Sequence, residues 1–249
     1  MKLAWFNRKS KKKQLSNRSI HQGVALVADY DPTGRVSEEY RTLRTNISFS
    51  KAGGAIKTIA ITSDAPSEGK STVSANVAVT FANQGLKTIL VDSDMRRPTV
   101  NATFGIQNTE GLVKLLTEQT EDLNTLLLNY CKTTSIENLS VLTAGPTPPN
   151  PSELLGSDRM VDLLAALGKH YDRIILDTPP LISVTDAQIV ASHADATILV
   201  APYGIAQKTA VIDAKSLLQK VDANIIGIVM NRVPAPTGSG YYYYGGYYK

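Results

Sequence analysis

Residues 63–72 read SDAPSEGKST, and the fold of the chain turns on whether Gly69, Lys70 and Ser71 close a phosphate-binding loop. Such a loop needs a buried strand before it and a helix behind it. The strand aims the loop, and the helix N-terminus turns its unpaired N–H groups on the anion. Both neighbours are present in the sequence. KTIAITS (57–63) is a short apolar run rich in β-branched residues, and STVSANVAVTFANQG (71–85) reads as a helix that stops at Gly85. In that setting Ala65, Pro66, Ser67, Glu68, Gly69, Lys70, Ser71 and Thr72 form the cradle for the phosphates of a nucleotide. Lys70 reaches the β- and γ-phosphates, and Ser71 offers its hydroxyl to Mg²⁺. The pattern departs at its first position, where Asp64 stands in place of glycine.

Outward from this loop, strand and helix alternate. KTILVDSD (87–94), LSVLTAG (139–145), RIILDTPP (173–180), DATILVAP (195–202) and NIIGIVMN (224–231) are apolar nearly throughout, as parallel strands covered on both faces are. Between them, NPSELLGSDRMVDLLAALGKH (150–170) reads as one helix with Asn150 as cap, Pro151 first and Glu153 three residues after the cap. QKTAVIDAKSLLQKV (207–221) is amphipathic, and GPTPPNP (145–151) reads as a loop. The expected fold class is α/β, a mostly parallel central sheet flanked by helices in a single domain.

Two further strand ends carry carboxylates. ILVDSDMRRP places Asp92 and Asp94 two apart, on one side of an extended backbone, and IILDTPP ends a buried run with Asp177. The carboxyl ends of parallel strands form one rim, so Lys70, Ser71, Asp92, Asp94 and Asp177 are expected to meet there as catalytic and metal-holding groups. Arg96 and Arg97 either stabilise phosphate charge or anchor their loop. Asn231, ending the last strand on the same rim, either bonds an adenine edge or forms a turn.

Composition bounds the rest. The single cysteine, Cys131, excludes an intrachain disulfide and suits a reducing compartment. It and His21, His170 and His193 lack ligand spacing and read as structural or surface residues. No apolar run approaches the roughly 18–20 residues of a membrane span, and MKLAWF is too short for a signal peptide. Residues 1–20 hold seven of the cations and no acid, leaving the remainder at −3 against a total of +4. A basic arm on a mildly acidic body suits an anionic lipid or acidic partner surface, and nucleic acid is not expected. Within SEEYRTLRTNISFS (37–50), Glu38, Arg41 and Arg44 fall near one helix face, which as pure pattern is an exposed face with an ion pair.

Taken together, SDAPSEGKST, ILVDSDMRRP and IILDTPP resemble the ATP site of the bacterial tyrosine kinases of capsule and exopolysaccharide synthesis, a MinD/ParA-like P-loop class. EEYRTLRTN resembles that family's oligomerisation helix, which implies that Glu38, Arg41 and Arg44 lie at a subunit interface. Many MinD-like ATPases have a signature lysine where Ala65 stands, and its absence fits the kinases better. The resemblance implies Asp92 as proton acceptor, with Asp94 and Asp177 at the metal or its waters, although the roles of Asp92 and Asp94 are interchangeable on sequence. It also implies a ring-shaped homo-oligomer, an octamer among the candidate sizes. Its partners would be a transmembrane activator of the polysaccharide chain-length-regulator type, protein tyrosine substrates and a cognate phosphatase. The kinase would be cytoplasmic and recruited to the membrane through that partner.

YYYYGGYYK (241–249) then has a role. Six of the eleven tyrosines fall in these nine residues, behind a PAPTGSG stretch that breaks helix and strand. Tyr241, Tyr242, Tyr243, Tyr244, Tyr247 and Tyr248 are the expected autophosphorylation sites. The chain divides into a basic arm (1–34), a kinase domain (35–232, with the oligomerisation helix at about 37–48) and a flexible tyrosine-rich tail (233–249). The rival reading is a MinD/ParA-like ATPase switch that transfers phosphoryl only to water; a third is an adaptor that uses ATP only as a ligand.

Overall fold

The computed structural model describes residues 19–50, 56–118 and 122–234. Most of the basic arm and the six clustered tyrosines lie outside the described residues. In chain order the elements are α1 (Ser19–Gln22), α2 (Val27–Tyr30), α3 (Arg35–Phe49), β1 (Thr58–Ser63), α4 (Lys70–Ala82), β2 (Thr88–Asp92), α5 (Val100–Phe104), α6 (Leu112–Thr117) and α7 (Leu123–Tyr130). There follow β3 (Lys132–Thr133), β4 (Leu139–Leu142), α8 (Pro151–Leu155), α9 (Asp158–His170), β5 (Arg173–Asp177), α10 (Asp186–Ser192), β6 (Ala196–Pro202), α11 (Lys208–Gln219) and β7 (Ile225–Asn231).

The seven strands form one sheet in the order β3-β4-β2-β5-β1-β6-β7, parallel except for β3. Alternation along the central strands sorts their side chains into two layers. Ile59 and Ile61 of β1, Leu90 of β2 and Ile175 of β5 join a core with Val77, Val79 and Phe81 of α4. Ala60, Ile89, Val91, Ile174 and Leu176 face the other way, onto Leu115, Leu126, Leu163 and Leu167 of α6, α7 and α9. Helix α4 is buried along nearly its whole length, so the loop that opens it is anchored in the core.

Two expectations about elements are corrected. The helix expected over 150–170 is two: α8 stops at Gly156, and α9 restarts after Ser157, whose hydroxyl turns back to the Leu154 carbonyl at 2.7 Å. The Ser157 backbone is extended, with ψ 154°, so the helical ladder cannot run through it. And β7, read as covered on both faces, is an edge strand with Ile228 and Met230 52% and 59% exposed. Its apolar run looked like that of a central strand because nothing in a run of Ile, Val and Met records whether a neighbour exists. Among the described residues no helix is long and apolar enough to cross a membrane.

Candidate active site

Strand register brings the acids together. β2 and β5 are adjacent with Asp92 opposite Asp177, so two strand-ending carboxylates stand side by side at the carboxyl edge. β2 ends at Asp92: the Ser93 N–H still donates to the Asp177 carbonyl at 2.8 Å, and after it the chain leaves the strand for a loop. Strand alternation therefore does not relate Asp92 to Asp94, contrary to expectation. Asp94 lies in the loop and its carboxylate meets the Lys70 ammonium at 2.9 Å. Asp92 points into the protein. Its Oδ1 accepts the Asp94 N–H at 3.2 Å and its Oδ2 the Thr99 and Val100 N–H groups, both at 2.9 Å.

Lys70 is the hub. Its Nζ is also 3.9 Å from Asp177 Oδ1 and 3.3 Å from Ser71 Oγ. Asp177 in turn accepts the Ser74 hydroxyl at 3.2 Å, the Thr99 hydroxyl at 3.4 Å and the Ser71 hydroxyl. Burial alone would pull the ammonium's pKa down, but the charges of Asp177 and Asp94 overturn this and leave it above the usual lysine value. Burial is the main cause that raises both Asp92 and Asp177. The Asp177 charge adds to it at Asp92, while Lys70 opposes it at Asp177.

The loop itself is pinned from the far edge of the sheet. Gly69 has φ +102°, and a Cβ there would lie 1.9 Å from Asn231 Nδ2. Only glycine fits both the left-handed backbone and that contact. Asn231 Nδ2 donates to the Glu68 carbonyl at 3.0 Å, and the Arg232 guanidinium to the Ser67 carbonyl at 2.7 Å. Glu68 folds back to accept the Ala65 N–H at 3.1 Å. Asn231 does more than end a strand: its amide holds the loop, and its Oδ1 accepts the Arg232 N–H.

Pro66, Ser67, Gly69, Lys70, Ser71 and Thr72 line a cavity of about 290 Å³ whose wall also carries Asp94, Arg97 and Thr99. Asp92 and Asp177 sit behind that wall, fully buried. Helix geometry leaves the N–H groups of the first turn of α4 without intrahelical partners, which suits an anion in the cavity. Arg96 and Arg97 separate: Arg97 lines the cavity, whereas Arg96 grips the buried Asp186 at 2.8 and 3.3 Å, beside the Ser152 hydroxyl.

One stretch of this wall was missed in the sequence. Gly23, Val24 and Ala25 line the cavity, although the basic arm was expected to run to residue 34. Asn76 of α4 clamps them, donating to the Ala25 carbonyl at 2.8 Å and accepting the Ala28 N–H at 2.9 Å. The Val24 N–H donates to Thr103 at 3.1 Å, and Gly23 (φ +70°) passes so near the 102–103 backbone that a Cβ would clash at 2.5 Å. The only local signal was a glycine with no turn to explain it.

On α3, Glu38 and Arg41 pair on the surface. Arg44 does not join them: its guanidinium donates to the Thr80 carbonyl of α4 at 2.9 Å and docks the helix on the core. Burial raises Cys131 to about 12, in keeping with an unreactive structural thiol. Among the described residues no three or more His, Cys, Asp or Glu side chains are arranged to hold a metal by themselves. The donors around Lys70 fit instead a Mg²⁺ carried in with phosphates and tied down by one hydroxyl and outlying carboxylates.

Comparison with known proteins agrees with this geometry. Residues 56–224 match the AAA domain family. The chain is 44% identical over 215 residues to CapB of Staphylococcus aureus, which spans 86% of this chain and 92% of that protein. It is 40% identical over 229 residues to the tyrosine-protein kinase YwqD of Bacillus subtilis (strain 168), 92% of this chain and 94% of that one. The kinase domain of the Escherichia coli tyrosine kinase ETK superposes with a TM-score of 0.77 at 32% identity, over 87% of this chain and 85% of that one. The cell division ATPase MinD of Pyrococcus furiosus, at 24% identity and a TM-score of 0.57, shares the fold.

Proposed function

This chain belongs to the bacterial tyrosine-protein kinases of the MinD-like P-loop class, and from that membership we propose that it transfers the γ-phosphoryl group of ATP to tyrosine hydroxyls, its own Tyr241–Tyr244, Tyr247 and Tyr248 among them. The observation that carries the reading is the Lys70 ammonium under the 65–72 loop, beside Asp94 and Asp177 and open to a cavity with Arg97 on its far wall. In the transfer, the bond from γ-phosphorus to the bridging oxygen breaks, a bond to the phenolic oxygen forms, and the phenolic proton passes to a carboxylate. Lys70 and Arg97 offset charge on the phosphates. Ser71, Asp94 and Asp177 would hold Mg²⁺, which when bound would supply positive charge to offset the phosphates.

A tyrosine hydroxyl, with a pKa of about 10, needs its proton accepted at neutral pH. Asp92 is our acceptor, on its strand-end position beside Asp177, with Asp94 its alternative; to meet a hydroxyl, Asp92 has to be released by the Thr99 and Val100 N–H groups that now cover it. We further propose that the kinase assembles through Glu38, Arg41 and Arg44 into a ring, acts in trans, and works in capsule or exopolysaccharide synthesis beside a membrane activator, opposed by a phosphatase. The basic arm would support recruitment to the inner leaflet, and deleting residues 1–20 should lower the membrane-bound fraction.

The test is intact-mass spectrometry after incubation with Mg·ATP, beside Lys70→Met and a chain truncated after Gly240. Stepwise phosphate additions lost in both variants are expected. ATP hydrolysis with no mass added to protein would replace the kinase by the switch ATPase.

A further inference from the structure

Asp186 is a fully buried carboxylate, downstream of Asp177, that the transfer described above does not use. It opens α10, and the segment between the two acids is stitched to the end of β1. The Thr178 hydroxyl donates to the Ile61 carbonyl at 3.1 Å and the Thr62 hydroxyl to the Pro179 carbonyl at 3.0 Å. The Leu181 and Ile182 N–H groups follow, donating to the Ser63 and Asp64 carbonyls at 2.9 and 3.0 Å. The strand that aims the phosphate loop thus also sets the place of Asp186. From there its Oδ2 accepts the Arg96 Nε–H at 2.8 Å. Its Oδ1 accepts the Ser152 hydroxyl of α8 at 2.5 Å and Arg96 Nη2 at 3.3 Å.

We infer that Asp186 is a positioning residue for phosphoryl transfer: by holding Arg96, it turns the 94–97 loop so that Arg97, and not Arg96, meets the phosphates. Two adjacent arginines leave one short loop, and only Arg97 lines the cavity. The loop is tied at both ends. At the first, Asp94 meets Lys70 at 2.9 Å, and its Oδ1 accepts the Arg97 N–H at 3.0 Å. Met95 is then buried in the core shared with α9. At the other end Arg96 reaches across to α10. Without that last tie, Asp94 and Met95 keep their places, but nothing decides which guanidinium turns to the anion.

A buried carboxylate paired with arginine adds little net stability, because taking the charges out of water consumes most of their attraction. What such a pair does well is select one arrangement among several. Here the arrangement is that of positive charge around the phosphates, which lowers a barrier only if it stands in place before the reaction begins. That Arg97 serves a transfer to tyrosine rests on the kinase reading above; that Asp186 directs Arg97 does not.

The experiment incubates the full-length protein with Mg·ATP and measures phosphate added to protein and phosphate released to water, with ADP affinity read by calorimetry. Asp186→Asn and Arg96→Ala should each lower kcat at least tenfold. ADP affinity should stay within threefold, since the 65–72 loop is held by Asn231 and Arg232 and not by Asp186. Because Asp186 acts through Arg97, adding Asp186→Asn to Arg97→Ala should cost no more than a further threefold. An unchanged kcat in Asp186→Asn, an ADP affinity that falls in step with kcat, or losses that multiply in the pair would each overturn the inference. If Asp186→Asn does not fold, Arg96→Ala, whose side chain is 40% exposed, carries the same comparison alone and with Arg97→Ala. A wild-type protein that releases phosphate only to water ends the kinase reading, and the same kcat ratios read on hydrolysis still decide the role of Asp186. A wild-type protein that does neither overturns both.

Discussion

Replacing Lys70 by Met gives the most demanding check on the electrostatics of the site. The substitution keeps most of the side chain's length and removes an ammonium 2.9 Å from Asp94 and 3.9 Å from Asp177, with Asp92 beside them. Removing one partner of a buried ion pair costs about 3–5 kcal/mol, because the charges left behind stay out of water. We expect about 4 kcal/mol at pH 8. The carboxylates then have a way to relieve the cost, which is to bind a proton. Asp92 and Asp177 already sit above their ordinary values in the wild type, and losing the cation raises them further. The folded variant thus binds more protons than its unfolded chain between the ordinary carboxylate range and the raised folded value. Its stability must grow as pH falls through that window. One extra proton held over part of the interval, at about 1.4 kcal/mol per pH unit, brings the deficit down to about 2 kcal/mol at pH 5.5. Lys70 itself stays charged throughout, since its pKa lies above that of a free lysine. Urea unfolding of both dephosphorylated proteins at the two pH values reads the difference. A deficit that is the same at pH 5.5 and pH 8, or absent at pH 8, refutes the assignment of Lys70 as the neutralising centre of a buried acid cluster.

Other substitutions test other joints. Gly69→Ala forces a Cβ into a left-handed backbone and onto Asn231, so nucleotide affinity measured by calorimetry should fall at least tenfold, with a stability loss of about 1–3 kcal/mol. Arg44→Ala frees α3 from the Thr80 carbonyl and should cost about 1–2 kcal/mol in urea unfolding. Glu38→Ala, on the exposed side of the same helix, should leave the unfolding curve in place while reducing the oligomer mass in sedimentation. Arg96→Ala leaves the Asp186 carboxylate buried with the Ser152 hydroxyl; because the arginine is 40% exposed, the expected cost is about 2 kcal/mol rather than that of a sealed pair.

The parts of the site legible in the sequence are those where chemistry and burial coincide locally. SDAPSEGKST between an apolar run and a helix, and apolar strands ending in Asp92 and Asp177, can be read because a strand's end and its carboxylate lie in the same few residues. What escaped was carried by contacts between distant segments. Asn76 is one more small polar residue in an apolar helix until Ala25 and Ala28 are placed against it, 51 and 48 residues away. Asn231 holds a carbonyl 163 residues earlier, a contact that its place at a strand end does not show. Arg44 shares a spacing with Glu38 and Arg41, yet at i and i+6 a helix has turned far enough to face Thr80. Asp94 was misplaced by one assumption, that β2 runs two residues further than it does.

The clamp that Asn76 places on residues 25–28 has a practical side. The recognisable domain begins at residue 56, yet part of the wall facing Lys70 is built from Gly23, Val24 and Ala25. The nucleotide site is thus not a cassette that residues 56–224 could carry to another protein unaltered. Transplanted alone, that segment would keep its lysine and its acids but lose one bank of the channel, and Asn76 would face solvent with both its bonds to the missing strap unmade. Inheritance of the motif and inheritance of the working pocket are, in this chain, two different lengths of sequence.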